Sequence, residues 1–284
     1  IYVYTYGNPG ENIHVLNNDF SGGYYCTYFY GYDGSGPGLD GFRLENNVIH
    51  DAYYYGLYLF YTKNASIIGN DVDMVGGPSN TNSYGMMMYG YGTGYKIERN
   101  TVHAGYYGMY CYSMSGSSSE YATLYNNKIM IGDTSASITN GYYASYFSQS
   151  GFFNISHNLV LSQTTNGYSA YLLGGLNKVH NNIFARVNSG TCMFINGSYT
   201  VTDMDNNAYF LTNGAASGLS YTQGLGFDDN GIQIASLYTN LDSLYTCKDS
   251  LVGAGAPLAY CTEDINLGGR SSTAPTIGPH EYIS

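Results

Sequence analysis

Apolar and polar positions alternate along this chain in short runs, and each alternation turns a corner at an asparagine. The asparagines are Asn18, Asn47, Asn70, Asn100, Asn127, Asn158, Asn182 and Asn207, separated by 29, 23, 30, 27, 31, 24 and 25 residues. Three positions before each stands an apolar side chain: Val15, Leu44, Ile67, Ile97, Leu124, Ile155, Val179 and Met204. Two positions after stands another: Phe20, Ile49, Val72, Val102, Ile129, Val160, Phe184 and Tyr209. Alternation on both sides of a fixed point describes two strands meeting at a corner. A helix needs apolar residues at i, i+3, i+4 and i+7 sustained over about ten residues, and no such stretch occurs between Val3 and Leu211. The 38 glycines also argue against long helices. Self-similarity at this period predicts a solenoid whose insertions fall in one variable loop.

Each repeat carries a further strand rich in tyrosine. The alignment runs Tyr25-Cys26-Thr27-Tyr28, Gly56-Leu57-Tyr58-Leu59, Gly85-Met86-Met87-Met88, Gly108-Met109-Tyr110-Cys111, Ala144-Ser145-Tyr146-Phe147, Ser169-Ala170-Tyr171-Leu172 and Thr191-Cys192-Met193-Phe194. The second and fourth members are expected to face inward and the third outward. Two or three short strands per turn predict an all-β, single-stranded parallel β-helix of about eight coils over residues 1–211, with residues 212–284 as a C-terminal cap of the same domain. The strong bias of parallel crossovers makes it right-handed.

In such a coil each strand pairs with its equivalent one turn away, so like residues stack in columns about 4.8 Å apart. The recurring asparagines then form a ladder of inward-turned amides. An unpaired buried amide costs about 1–3 kcal/mol, and a column of like amides satisfies itself. Asparagine also suits left-handed corners, so the same residues are candidates for the turn conformation itself.

The stretch Leu44-Glu45-Asn46-Asn47-Val48-Ile49-His50-Asp51, running into Tyr55-Gly56-Leu57-Tyr58-Leu59, resembles the repeat of secreted right-handed parallel β-helix proteins, the pectate-lyase-like group. The resemblance covers roughly residues 11–211 and speaks for the fold. It says little of function, because one fold hosts many activities. The tail pieces Asp249–Gly255, Asp264–Arg270 and Ile277–Tyr282 resemble the terminal region of bacterial secreted β-helix proteins that precedes an anchoring or sorting module. They are expected to cap the last coil, with Arg270 and Glu281 as paired cap residues.

The formal net charge is −11, yet only 10% of residues are charged, against about 25% ordinarily. No basic nucleic-acid footprint is present, and no apolar run approaches the ~18 residues of a membrane span. Cys26, Cys111 and Cys192 fall in inward columns of distant coils and read as small core residues. Cys247 and Cys261 lie outside the repeats, and a disulfide or two thiols are equally open. The chain begins at Ile1 without methionine, which fits a processed or excised segment. With the resemblance, this gives a secreted, extracellular or cell-surface expectation. Three glycosylation sequons, at Asn64, Asn154 and Asn196, are what chance predicts in an asparagine-rich chain.

Tyrosine occurs 35 times and tryptophan never. One outward column is expected to hold Tyr24, Tyr55, Tyr84, Tyr107, Tyr143 and Tyr168. A second holds Tyr58, Tyr110, Tyr146 and Tyr171, interrupted by Met87 and Met193. Stacked rings stiffen the rod, but an exposed aromatic wall of this extent marks a contact face. Three positions after the asparagine, His50, Asp73 and His103 occupy one column on successive coils, the arrangement for proton transfer or a metal. Asp203 and Asp205 lie about 7 Å apart along one strand, within the range of a paired-carboxylate hydrolase, but beside the cationic Lys178 and His180. Arg43–Glu45 and Lys96–Glu98 read as same-face ion pairs. Asp71, Asp73 and Lys128 come nearest to the acid-plus-base set of a calcium-dependent lyase.

The leading expectation is a non-enzymatic extracellular structural or adhesive rod, whose partner is itself, as filaments, or a polysaccharide. No cofactor or resident metal is expected. The alternatives are a polysaccharide lyase or hydrolase working along His50–Asp73–His103, and a carbohydrate-binding module using the tyrosine columns.

Overall fold

The computed structural model describes the chain except residues 8–9, 33, 37, 78–79, 91, 134–137, 139, 149, 197–200, 212–214, 217, 235–248 and 283–284. All of its multi-strand sheets are parallel, and in each the strand order follows chain order. A nine-stranded tyrosine sheet runs from Tyr2–Tyr6 through Tyr25–Tyr32, Tyr55–Phe60, Tyr84–Tyr89, Tyr107–Tyr112, Tyr143–Ser148, Tyr168–Leu173 and Gly190–Asn196 to Ala215–Ala216. An eight-stranded sheet, from His14–Leu16 to Val201–Asp205, precedes the asparagine corner. A nine-stranded sheet follows the corner, from Asp19–Ser21 to Ile232–Ile234. A fourth sheet of three short strands (Gly10–Glu11, Leu39–Asp40 and Thr62–Lys63) serves only the first coils. A parallel β-helix is therefore the architecture.

The columns predicted from spacing stack in register. Val15 pairs with Leu44, Leu44 with Ile67, and so on to Met204. Phe20, Ile49, Val72 and Val102 continue likewise to Tyr209. Both columns lie in one continuous apolar core.

Between them the amides form an unbroken ladder. Each Nδ2 donates to the Oδ1 of the next coil at 2.9–3.0 Å, from Asn18 through Asn207. Each backbone N–H from Asn18 to Asn182 donates to that same oxygen. The last acceptor is not an amide. Asp228 takes the Asn207 side chain at 2.9 Å and its N–H at 3.1 Å on one oxygen, and the Tyr209 hydroxyl on the other. A carboxylate has no proton to hand on, so it ends the row.

The ladder asparagines do not themselves adopt the corner conformation. Positive φ falls one residue earlier, on Asn17, Asn46, Gly69, Arg99, Asn126, His157, Asn181 and Asn206. The turn and the amide ladder thus belong to neighbouring positions, which corrects the expectation that one residue serves both.

After the last coil, the short helix Leu219–Gly224 with Phe227 packs Leu219 and Tyr221 against the end of the core. The described residues from 249 to 282 do not sit on that end but run back along the asparagine corner. Asn206 Nδ2 donates to the Ala254 carbonyl, Asn181 exchanges two hydrogen bonds with Ala256, and Asn126 Nδ2 donates to the Glu263 carbonyl. Arg270 pairs with Glu281 at 3.2 Å as expected, and also donates to Asn126 Oδ1 and the Gly278 and Pro279 carbonyls. Leu251 and Ile277 cover an outer apolar strip made by Met130, Leu159, Leu161 and Ile183. The tail is a strap on the flank because those coils carry apolar residues at outward positions where earlier coils carry Asp and His.

Cys26, Cys111 and Cys192 are buried free thiols, as is Cys261. Burial pushes the Cys192 thiol up to about 12 and Cys261 to about 11. Cys247, the other half of the expected pair, lies outside the described residues, as do Gly197 and Ser198 of the third sequon.

Candidate functional site

The outer face of the tyrosine sheet is built by a break in strict alternation. On each coil a small residue is followed by a second inward residue, as in Gly56-Leu57. This leaves Tyr55, Tyr58 and Phe60 outward. The small position runs Cys26, Gly56, Gly85, Gly108, Ala144, Ser169, Cys192. A β-carbon on Gly85 would meet Val102 Cγ1 at 2.4 Å and the Gly108 carbonyl at 2.6 Å, so that coil admits little more than hydrogen there.

For the five middle coils the expected facing holds: Tyr58, Met87, Tyr110, Tyr146 and Tyr171 are outward between buried neighbours. The first and last sets are each displaced by one residue. Tyr25, not Tyr24, pairs with Tyr55, and Tyr28 pairs with Tyr58 while Thr27 turns inward. Phe194, not Met193, follows Tyr171, and Met193 is fully buried. A one-residue slip exchanges the two faces of a strand. With tyrosine at both 24 and 25, residue type could not resolve it.

The first column is therefore Tyr25, Tyr55, Tyr84, Tyr107, Tyr143 and Tyr168. Its successive ring centroids lie 4.9, 4.9, 4.7, 5.4 and 5.2 Å apart. The second runs Tyr2, Tyr28, Tyr58, Met87, Tyr110, Tyr146, Tyr171, Phe194. The two columns meet edge to face, at 5.1 Å between Tyr55 and Tyr58 and 5.1 Å between Tyr168 and Tyr171. A third column the alignment missed carries Tyr4, Tyr30, Phe60, Tyr89 and Tyr112. Its signal was present two residues beyond the second column. Tyr24 belongs to an adjoining row at the turn, with Tyr54 stacked on it at 5.5 Å.

No Asp, Glu, Lys, Arg or His occurs in any strand of this sheet. Most of the column rings are half-buried; Tyr143 is buried. Burial, and then neighbouring phenols, push these column hydroxyls upward: Tyr28 to about 12 and Tyr55, Tyr58, Tyr84, Tyr107 and Tyr110 further. The face is neutral across the physiological range.

The His50–Asp73–His103 column also stacks as spaced, but its side chains do not converge. The two ring nitrogens of His50 lie 2.7 Å from Asp51 and 2.9 Å from Asp19, so both donate only as the imidazolium. Those carboxylates, Asp51 first, raise its pKa. Asp73 accepts from the Val75 N–H at 3.0 Å. His103 bonds the Gly132 carbonyl at 3.1 Å and stands 3.8 Å from Asp73. Among the described residues no cluster of three His, Cys, Asp or Glu has the arrangement to hold a metal ion.

One more cation borders this strip. Lys128 is buried two coils from Asp71, with Thr101 between them. Burial lowers its pKa against the pull of Asp264 and Asp71. Asp71 has its carboxyl raised, by burial first and by Asp73 second.

On the preceding sheet Arg43 grips Glu45 through two bonds of 2.7 and 2.6 Å. Glu98 turns to Thr123 at 2.8 Å and Arg99 at 3.8 Å, rather than to Lys96. Asp203 lies beside Lys178 in register, yet its ion pair is with His180 at 3.2 Å, and Lys178 caps the Tyr121 ring at 4.7 Å. Asp205 is held by Asn230 and Asn206. Burial alone would raise its carboxyl, but these bonds hold it below the usual range. Asp203 and Asp205 are thus bound into the scaffold rather than poised across a cleft.

The family model of the right-handed β-helix region matches residues 1–141. No curated protein matches the chain by sequence. Among solved structures, the crystal structure of pectate lyase Pel9A is similar in fold, with a TM-score of 0.52 at 14% identity, over 96% of this chain and 73% of that one. Among the described residues no helix is long and apolar enough to cross a membrane. The match, the fold neighbour and the in-register topology agree on the architecture: this chain folds as a right-handed parallel β-helix.

Proposed function

We propose that the protein is a polysaccharide-binding rod of the extracellular space, and that the tyrosine sheet is its contact face. One observation carries this reading. Three columns of aromatic rings run over the coils, the second broken at Met87 and the third ending at Tyr112, with no charged residue in their strands. An aromatic wall of this size exceeds what stiffness requires and suits the apolar faces of sugar rings. The neighbour in fold, a pectate lyase by name, is in keeping with this reading.

Co-sedimentation with insoluble polysaccharides tests it. Tyr58→Ala and Tyr110→Ala together are expected to weaken retention about a hundredfold, from about 1.4 kcal/mol per ring. Absence of retention on any glycan would refute the reading. The filament-forming alternative uses the same face. Electron microscopy of the same samples separates the two, because dispersed short rods count against self-assembly.

A second reading, β-elimination on a uronic-acid polymer, is favoured by Lys128 alone. Burial lowers its pKa, the direction in which a lysine becomes available as a general base, and Asp71 and Asp73 lie along the same strip. Incubation with pectate would then release unsaturated sugars, and Lys128→Ala would abolish the release. Equal activity in the variant, or none in either protein, removes this reading.

A further inference from the structure

We propose that the tyrosine sheet takes an uncharged, extended, β-1,4-linked glycan laid parallel to the rod axis, with one pyranose ring per coil; this rests on the polysaccharide-binding reading above. The first support is periodicity. Six consecutive coils each place one ring of the first column at centroid steps between 4.7 and 5.4 Å. A chain of equatorially linked pyranose rings advances by one ring per residue, a step of the same length as one coil. A glycan crossing the rod would instead meet only the width of a short strand.

The second support is the shape of the surface. Tyr25 and Tyr55 are nearly parallel, at 5°, with centroids 4.9 Å apart. Rings in contact are separated by about 3.5 Å, so each must slip by about 3.4 Å over its neighbour. Tyr84 and Tyr107, at 12°, and Tyr143 and Tyr168, at 19°, are stacked likewise, while Tyr55–Tyr84 at 36° and Tyr107–Tyr143 at 42° are tilted, so no ring of the column wholly covers the next. The edge-on rings of the second column stand beside these shelves, as Tyr58 stands beside Tyr55. A sugar seated on a shelf has its apolar face on carbon and its equatorial hydroxyls toward the flanking phenols.

The third support is charge. The sheet holds no cation to pair a carboxylate or sulfate, and the chain as a whole is at −11. Desolvating an unpaired charge against aromatic carbon is unfavourable. Repulsion from the whole protein adds to it. A neutral polymer meets neither cost.

Titration calorimetry with β-1,4-linked oligosaccharides, from the dimer to the octamer, tests the register. Affinity is expected to rise with each added residue to about the tetramer, one ring for each of the half-buried Tyr25, Tyr55, Tyr84 and Tyr107 that precede the buried Tyr143, and then to level. Tyr55→Ala and Tyr107→Ala are each expected to lower tetramer affinity by about tenfold, to similar extents, and Tyr55→Phe to retain it. Circular dichroism and melting establish that each variant is folded. The corresponding uronate oligomers are expected not to bind. Saturation at the dimer or trimer, dominance of a single tyrosine, or preference for uronates would overturn the axial, neutral register while leaving polysaccharide binding intact. Absence of binding by every glycan defeats both.

Discussion

Asn127→Ala is expected to destabilise the protein by about 2–6 kcal/mol. The Asn127 oxygen accepts from both the backbone N–H and the side-chain amide of Asn100, at 3.0 and 2.9 Å. Its own amide donates to Ile97, Tyr125 and Asn158. Deleting it orphans two donors in a fully buried row, at about 1–3 kcal/mol each. The neighbouring amides cannot compensate, because each is already held between the coil before and the coil after. Asn18, at the exposed end of the same row, is the control. Its replacement should cost under about 1 kcal/mol, since water reaches the groups it leaves. Urea unfolding of the two variants makes the comparison. Equal losses at both sites would mean that the amides are corner decoration and not a cooperative ladder.

Alkaline pH is the second large lever. Tyr28, Tyr55, Tyr58, Tyr84, Tyr107 and Tyr110 of the tyrosine sheet keep their protons beyond the ordinary value near 10, Tyr28 to about 12 and the others further. The cause is burial first and mutual repulsion of nascent phenolates second. The sign follows from proton counting. Above about pH 10 the unfolded chain releases phenolic protons that the folded chain retains, so stability falls as pH rises. The stabilisation is complete below the unfolded value and is lost as pH climbs toward the folded values. Several columns act together, so the fall is expected to be steep and cooperative. Tyrosinate absorbance and far-ultraviolet dichroism should change in the same pH interval. Ionisation of every tyrosine near pH 10 with the fold unchanged would show that the column rings are solvated and that the face is not a packed aromatic surface.

Much of the scaffold is legible in spacing because a parallel coil turns sequence period into vertical contact. Val15, Leu44 and Ile67 meet because each stands three places before an asparagine. The same logic placed His50, Asp73 and His103 in one column. It could not say what those side chains hold. His50 reaches sideways to Asp51 and back to Asp19, and His103 to a carbonyl one coil on. Column membership is a property of the backbone, whereas partners depend on rotamers and on the loops alongside.

The tyrosine columns show the same division at finer grain. Their existence follows from composition and period. Their register at the two ends does not, because the small residue and the inward residue after it break the two-residue alternation. The inward residue at Thr27 is polar and finds its partner in the Gly56 carbonyl at 2.9 Å, which alternation by hydrophobicity cannot anticipate.

The chain's own order of residues determined the coil, the amide row and the neutrality of the aromatic face, since each depends only on which residue recurs at which interval. Folding in three dimensions decided where the strap lies, which acid holds which histidine, and that Asp228 closes the row begun at Asn18. Those contacts join segments far apart in sequence, such as Asn126 with Arg270 and Asn181 with Ala256. No local period encodes such a meeting. It is set by which outward positions the finished coils leave apolar and by which backbone groups are still unpaired.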